Sequence, residues 1–341
     1  MRIKKPVKLK DVAIAAGVDA STVSRVLNNE AGQRVGTETR DRIVTAAREL
    51  GYAPNAMARG LRTARTFTLG IAVPQLDNPV FTQMMIGATR AAHARGYELL
   101  IALVEDLAVG SGIYDRLANA HRVDGLLVST LEPDDALRKA LDRVLVPYVV
   151  MNRKARGIEN CVALDNFAAA KQSTEYLLSL GHRRIGHLAG LLNDYNGTRR
   201  LAGYRAALKG AGIKPDPALV AEAGYTLEGG DRAARALLRA SPRPTAMLAA
   251  TVLSAAGALR ALHAERVKVP AEISVMSTND LPIADTLHPP LTTLRMPLLE
   301  MGRIAADGLV DLLESKTATV THLLHPNGVV VRESTAAPKS P

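Results

Sequence analysis

At 341 residues the chain is long enough for two or three domains of about 100–200 residues each. Apolar residues are 47% and charged residues 22%, a balance that supports buried cores and excludes a disordered chain. Lys and Arg number 43 against 33 Asp and Glu, formally +10, so a polyanionic partner is expected: nucleic acid, an anionic membrane surface or an acidic ligand. Eight Tyr, three Phe and no Trp are too few for a reader of single-stranded RNA that stacks bases on aromatic platforms. No stretch approaches the roughly 18 uninterrupted apolar residues of a membrane span. The basic start Met1-Arg2-Ile3-Lys4-Lys5-Pro6 is followed by Lys8, Lys10 and Asp11 and not by an apolar run, which is unlike a secretory signal. The single Cys161 forms neither an internal disulfide nor a Cys-based zinc site, and the expected compartment is the reducing cytoplasm.

In chain order, the charge is the first feature to separate. Residues 1–66 hold 13 Lys or Arg against six acids, a net +7, while the remaining 275 residues carry only +3. A short basic module on a nearly neutral body is the distribution of a DNA-binding head on a ligand-binding body. Within the module, Leu9, Val12, Ala13 and Ala16 fall at helical spacing, and Gly17 permits the positive φ of a turn. Asp19 then suits the start of a second helix, Ala20 to Asn28, whose apolar face is Val23, Val26 and Leu27. A third helix is predicted from Thr37 to Leu50, with Ile43, Ala46, Ala47 and Leu50 inward and Gly51 as its stop. Two short helices about a glycine turn make a helix-turn-helix, an all-α head whose second helix enters the major groove.

Asp11-Val12-Ala13, Ala16-Gly17-Val18, Thr22-Val23-Ser24-Arg25-Val26-Leu27-Asn28 and Gly51-Tyr52-Ala53-Pro54-Asn55 together resemble the head of the lactose-repressor family of bacterial transcription regulators. The resemblance implies that Ala20 and Ser21 choose among operators and that Arg25 reads a base, its guanidinium bonding bidentately to guanine O6 and N7. Thr22 and Ser24 are then phosphate or packing positions, and Asn28 is a further DNA-binding position. Lys8 stands where the family usually has a capping Ser or Thr and can reach a phosphate instead, the loop Asn29 to Arg34 is longer than usual, and Gly36 replaces a common capping Ser. Pro54 to Arg62, including Asn55 and Ala58, resembles the family's hinge helix, too short to be stable alone. Leu61 matches its apolar wedge, which kinks the duplex from the minor groove.

From Thr68 onward, apolar strand-like runs alternate with helical stretches. The runs are Leu69–Val73, Leu99–Val104, Gly125–Val128, Tyr148–Met151, Ile185–Ala189, Ala246–Ala249 and Ile273–Met276. The helices include Ala168–Leu180, Arg199–Ala211, Gly230–Arg239 and Ser254–Ala264. Such alternation predicts parallel sheets covered on both faces, with ligands at the carboxyl ends of the strands. The blocks Gly181-His182-Arg183-Arg184-Ile185, Arg200-Leu201-Ala202-Gly203-Tyr204 and Pro289-Pro290-Leu291-Thr292-Thr293 extend the family resemblance over the body.

What the resemblance implies is an α/β periplasmic-binding-protein-like body of two doubly wound parallel-sheet lobes, with the chain crossing between them three times. The expected boundaries are 1–53 for the head, 54–66 for the hinge, 67–152 plus about 291–319 for the first lobe, 158–288 plus about 321–335 for the second, and a tail at 336–341. Positions matching the effector pocket are Phe81, Ser129, Asn152, Arg153, Arg200, Tyr225, Thr251 and Asn279. Sugar-binding members typically place acids where this chain has Val252, Asn152 and Asn279, so a neutral-to-positive pocket and a carboxylate-bearing effector are expected. The expected protein is a homodimeric repressor of a catabolic or transport operon, bound to a pseudo-palindromic double-stranded operator, with no cofactor, metal or catalytic residue and no contact with a membrane. No leucine heptads follow Glu333, so a dimer and not a coiled-coil tetramer is expected. The rival readings are a secreted solute-binding protein, which would lack the basic head, and a small-metabolite enzyme, for which no GxxxxGK[ST], HExxH or GxSxG motif is present.

Overall fold

The computed structural model describes residues 7–27, 35–52, 65–104 and 112–339. The chain divides into two compact units, Met1–Thr66 and Phe67–Pro341.

The first unit holds three helices: α1 (Leu9–Ala16), α2 (Ala20–Leu27) and α3 (Thr37–Leu50). Their joint core is Val12, Ala13, Ala16, Val23, Val26, Ile43, Ala46 and Ala47, mostly small or β-branched side chains that let short helices pack closely. Gly17 takes φ 66, which an L side chain rarely adopts, and the amide of Val18 turns back to donate to the Ala13 carbonyl at 3.1 Å. At the start of α1 the Asp11 carboxylate accepts the Lys8 amide at 2.8 Å, a contact that needs no capping side chain at Lys8. Asp19 accepts the Ser21 amide at 2.7 Å and so caps α2. One expected core residue is misplaced: Leu50 is 40% exposed. The chain reverses at Gly51, the Tyr52 amide donates to the Ala47 carbonyl at 2.9 Å, and the Tyr52 ring packs against the core at that end of α3.

In the second unit two six-stranded sheets each carry helices on both faces. The first has the order β11-β5-β4-β3-β1-β2, from β1 (Thr68–Val73), β2 (Glu98–Leu103), β3 (Gly125–Val128), β4 (Tyr148–Met151), β5 (Cys161–Leu164) and β11 (Thr321–Leu324). The second has the order β12-β10-β9-β8-β6-β7, from β6 (Ile185–Ala189), β7 (Val220–Glu222), β8 (Ala246–Ala249), β9 (Ser274–Thr278), β10 (Thr292–Leu294) and β12 (Val329–Val330). All neighbours are parallel except β12, which runs antiparallel to β10. Central strands such as β3 and β8 are buried at every residue, which is why they read as continuous apolar runs and not as alternation.

The helices are α4 (Pro79–Ala94), α5 (Ile113–Ala118), α6 (Asp134–Leu141), α7 (Asn166–Ser179), α8 (Tyr195–Gly210), α9 (Leu227–Leu238), α10 (Val252–Ala264) and α11 (Leu298–Leu313). Helices α4 and α11 touch backbone to backbone: a Cβ added at Gly302 would run into the Met84 carbonyl, and one at Gly87 into the Leu299 carbonyl.

The chain crosses between the sheets three times, but the lobe boundaries differ from the expected ones. Cys161–Leu164 and Thr321–Leu324 belong to the first sheet, paired to each other in register, and Thr292–Leu294 belongs to the second. Strands of three or four residues carry too little pattern to announce a partner that lies far away in sequence. The crossings therefore fall at 165, 295–297 and 325–328. Nor does the chain come free after residue 335: the Ala336 amide donates to Ser274 Oγ at 3.0 Å, and its carbonyl accepts from His182 Nε2 at 2.9 Å.

Candidate functional site

Two places gather unspent polar chemistry. The first is the outer face of α2 in the head. Ser21 and Arg25 lie one helical turn apart and are both exposed, while Ala20, Thr22 and Ser24 are half-buried beside them. Arg25 forms no ion pair with a described carboxylate. The Ser21 hydroxyl and amide hold the Asp19 carboxyl below its ordinary range, so the start of α2 keeps a fixed negative cap. Lys8 is exposed at the start of α1. Asn28, Asn55, Ala58 and Leu61 lie outside the described residues.

The second place is a cleft between the two lobes of the body, at the carboxyl ends of the strands of both sheets, where a doubly wound fold opens its loops. The first lobe lines it with Asn78, Val80 and Phe81 after β1, Leu131 after β3 and Asn152 after β4. The second lobe adds Asn196 and Arg200 on α8, Tyr225 after β7, Thr251 after β8 and Asn279 after β9. Asn152 and Asn279 stand at φ 66 and 69, the left-handed turn that ends each strand and that Asn tolerates better than most residues. About 30 Å³ of the cleft is open space, room for one or two waters.

On the second-lobe wall a short chain of contacts orders the polar groups. Asp194 caps α8 by accepting the Gly197 amide at 2.5 Å, and its other oxygen accepts the Tyr225 hydroxyl at 2.6 Å. Burial, and the Asp194 charge beside it, hold the Tyr225 phenol protonated well above its ordinary range. The Arg200 guanidinium lies 5.9 Å from the centre of the Tyr225 ring, and Arg200 is only 5% exposed. Its Nε has no hydrogen-bond partner, and neither has Asn279 Oδ1. Behind them His187 stacks on Tyr204 at 5.0 Å and donates from Nδ1 to the Leu248 carbonyl at 3.0 Å. Burial, reinforced by the charges of Arg200 and Arg205, lowers its pKa to about 4, so this ring is neutral.

Of the eight expected pocket residues, six meet in the cleft. Ser129 and Arg153 do not line it. Ser129 is buried and its amide donates to the Ala72 carbonyl at 2.9 Å. Arg153 is buried, donates to the Glu132 carbonyl and is paired with Asp134, so its charge is spent inside the first lobe. Four lining residues were missed. Asn196 could have been found, since it lies four residues before Arg200 on the same helix. Asn78 also had a signal, an Asn-Pro pair after a strand: its Oδ1 caps α4 by accepting the Val80 amide at 3.1 Å. Val80 and Leu131 carry no local signal beyond apolarity.

A helical head with an open recognition face, joined to a two-lobed body with an interlobe cleft, defines a DNA-binding head on a periplasmic-binding-protein-like body. Residues 8–55 match the description "Bacterial regulatory proteins, lacI family", and residues 174–335 match "Periplasmic binding protein-like domain". The chain is 36% identical to the HTH-type transcriptional regulator CelR of Thermobifida fusca over 334 residues, 96% of this chain and 97% of CelR. It is 32% identical to the ribose operon repressor of Escherichia coli (strain K12) over 311 residues, 91% of this chain and 94% of that one. A solved CelR-cellobiose complex covers 96% of this chain and 99% of its own at 34% identity and TM-score 0.73. A lac repressor dimer bound to operator and the anti-inducer ONPF covers 98% and 100% at 28% identity and TM-score 0.85. The chain belongs to the lacI family of bacterial regulatory proteins.

Proposed function

We propose that this chain is a sequence-specific DNA-binding transcription regulator, a homodimeric repressor of a catabolic or transport operon whose small-metabolite effector binds between the two lobes. The observation that carries the reading is the exposed Ser21–Arg25 face of α2 in a basic head, on which the Arg25 guanidinium forms no ion pair with a described carboxylate. The head serves DNA and the cleft serves the effector. With so little open space, any effector of hexose size enters with the lobes parting and is enclosed when they close. Binding without catalysis is favoured by the cleft's lining, which offers no carboxylate, His or Cys as a general base or nucleophile.

A second copy of the chain is supported by the edge strand β2, whose Leu100 and Ile101 are 37% and 49% exposed, an apolar strand edge that a monomer would leave wet. No helix among the described residues is long and apolar enough to cross a membrane, and a DNA-bound regulator works in the cytoplasm. The test is selection of bound double-stranded DNA from a random pool by the full chain. A pseudo-palindrome with half-sites about one helical turn apart, or a multiple of that, is expected. Recovery of DNA with no enriched sequence would overturn the reading.

A further inference from the structure

We infer that the second lobe carries a further ligand site, separate from the cleft, that takes a phosphate monoester. The site is a basic cavity of about 520 Å³ between the end of α10 and the loop before β10, a volume usual for small-molecule sites. Helix α10 is capped by Thr251 at the cleft and runs 13 residues, so about 20 Å of helix separates the two places.

The lining divides by chemistry. Leu259, Val267, Val269 and Pro289 supply apolar surface. His263, Arg266, Lys268 and His288 bring hydrogen-bond donors from three segments: the last turn of α10, the turn that follows it and the loop before β10. All four of these residues are exposed, and none of their side chains has a hydrogen bond or ion pair with a described group. No Asp or Glu lines the cavity. Of the carboxylates close by in the chain, Glu265 pairs with Arg235, and Glu272 accepts the Lys268 amide at 2.8 Å and not its ammonium. Glu333, whose amide donates to the Pro290 carbonyl at 3.1 Å, also stays out of the lining.

Arg266 holds its place against a backbone cost. It stands at φ 58, the left-handed position that closes α10: its amide donates to the His263 carbonyl at 3.0 Å, and the Val267 amide reaches back to the Leu262 carbonyl at 2.9 Å. Glycine is the usual residue there, and the attraction of one exposed cation to a helix end is no larger than the strain a side chain carries. Helix capping alone therefore does not account for a guanidinium at this position. Lys268, two residues on and lining the same cavity, adds a like charge whose repulsion an anion seated between the two reverses. Donors arriving from three segments suit a tetrahedral phosphate, whose oxygens point several ways, better than a planar carboxylate, which one guanidinium fork satisfies. The apolar part of the lining receives the carbon skeleton of the ester, which makes inorganic phosphate the weaker ligand.

The experiment is calorimetric titration of the full chain at fixed ionic strength with phenyl phosphate and D-glucose 6-phosphate, against inorganic phosphate and benzoate. At least one monoester is expected to bind about tenfold or more tightly than either control. Arg266→Gly removes the guanidinium and relieves the left-handed backbone, so it should melt no lower than the unmodified chain while losing about 10- to 100-fold in affinity for that monoester. Lys268→Gln, with its melt checked in the same way, should also weaken the monoester about tenfold or more. Arg200→Gln and Arg25→Ala report whether the phosphate sits instead in the cleft or on the head, and neither should change the affinity. If neither monoester outbinds the controls, or if affinity survives in both Arg266→Gly and Lys268→Gln, the inference falls. It falls equally if the loss appears in Arg200→Gln or Arg25→Ala.

Discussion

Arg25→Ala isolates base reading from everything else the head does. Arg25 is exposed, sits outside the apolar core of the head and forms no ion pair with a described carboxylate, so its removal leaves the fold intact; Ala is also at least as good a helix former as Arg. A bidentate contact from arginine to guanine contributes about 1–3 kcal/mol of discrimination. A dimer makes the contact twice, so the specific complex should weaken by about 2–6 kcal/mol, roughly 30-fold to 20,000-fold at about 1.4 kcal/mol per factor of ten. Binding to scrambled DNA of the same length should lose far less, because that complex is held by charge and each subunit retains most of its basic residues. Fluorescence anisotropy on the selected operator and on its scramble, at one salt concentration, reads both numbers. An equal loss on the two DNAs would refute the assignment and make Arg25 a phosphate contact. Unchanged affinity on both would remove α2 as the reading helix.

Gly302→Ala should destabilise the body by about 1–3 kcal/mol, because a methyl group meets the Met84 carbonyl and forces α4 and α11 apart. The expected fall in Tm is roughly 2–12 °C by circular dichroism, and a fall below 1 °C would mean the helices are not in backbone contact. Ile101→Lys places a charge on the exposed edge of β2 and should shift the sedimentation profile from dimer to monomer, with operator affinity falling in step. An unchanged dimer would move the interface elsewhere. His187 has its pKa lowered to about 4 from an ordinary value near 6.5, so as pH falls through that window the unfolded chain takes up the proton first and the folded state loses stability. Thermal melts from pH 7.5 down to 4.5 should show a shallower decline for His187→Asn than for the unmodified chain; parallel curves would put the acid sensitivity in other groups.

Local chemistry made the head legible. Gly17, Asp19 and Gly51 mark helix ends by mechanisms that act within four residues, and all three do what their residue type allows. Leu50 failed because helical periodicity continues along the sequence after the core has ended, and only the fold reveals that Tyr52 covers that end. In the body, central strands such as β3 and β8 are visible as apolar runs because helices cover both of their faces. The short strands β5, β10 and β11 were not, and their sheet membership depends on pairings such as Cys161 with Thr321, 160 residues away in the chain. The cleft was partly visible because parallel strands end where ligands bind, which brings residues after β4, β7, β8 and β9 to one place. Arg153 illustrates the limit. Its type and its position after a strand fit a pocket, but an aspartate 19 residues earlier takes its charge.

The strand end that carries Asn279 is tied to two of the three crossings by one carboxylate. Asp280, the next residue, accepts from Thr293 Oγ1 at 2.8 Å, from Arg295 at 3.1 Å and from Arg332 at 2.8 Å. Burial works against its charge, but the hydrogen bonds from Thr293, Arg332 and Arg295 prevail and hold the carboxyl below its ordinary range. Arg295 opens the second crossing and Arg332 follows the third, and Arg332 also donates to the Leu291 carbonyl and pairs with Asp285. A displacement of the Asn279 turn therefore cannot be absorbed locally: it either breaks a partly buried ion network or moves the segments that join the lobes. If the effector contacts Asn279, as proposed for this cleft, its binding and any movement of the lobes would share this linkage, and the sign of the response would depend on which arrangement of the lobes the ligand contacts better. Its size would be bounded by the ligand's difference in affinity for the two arrangements, so a ligand group that Asn279 meets in only one of them would be the most effective handle on DNA binding.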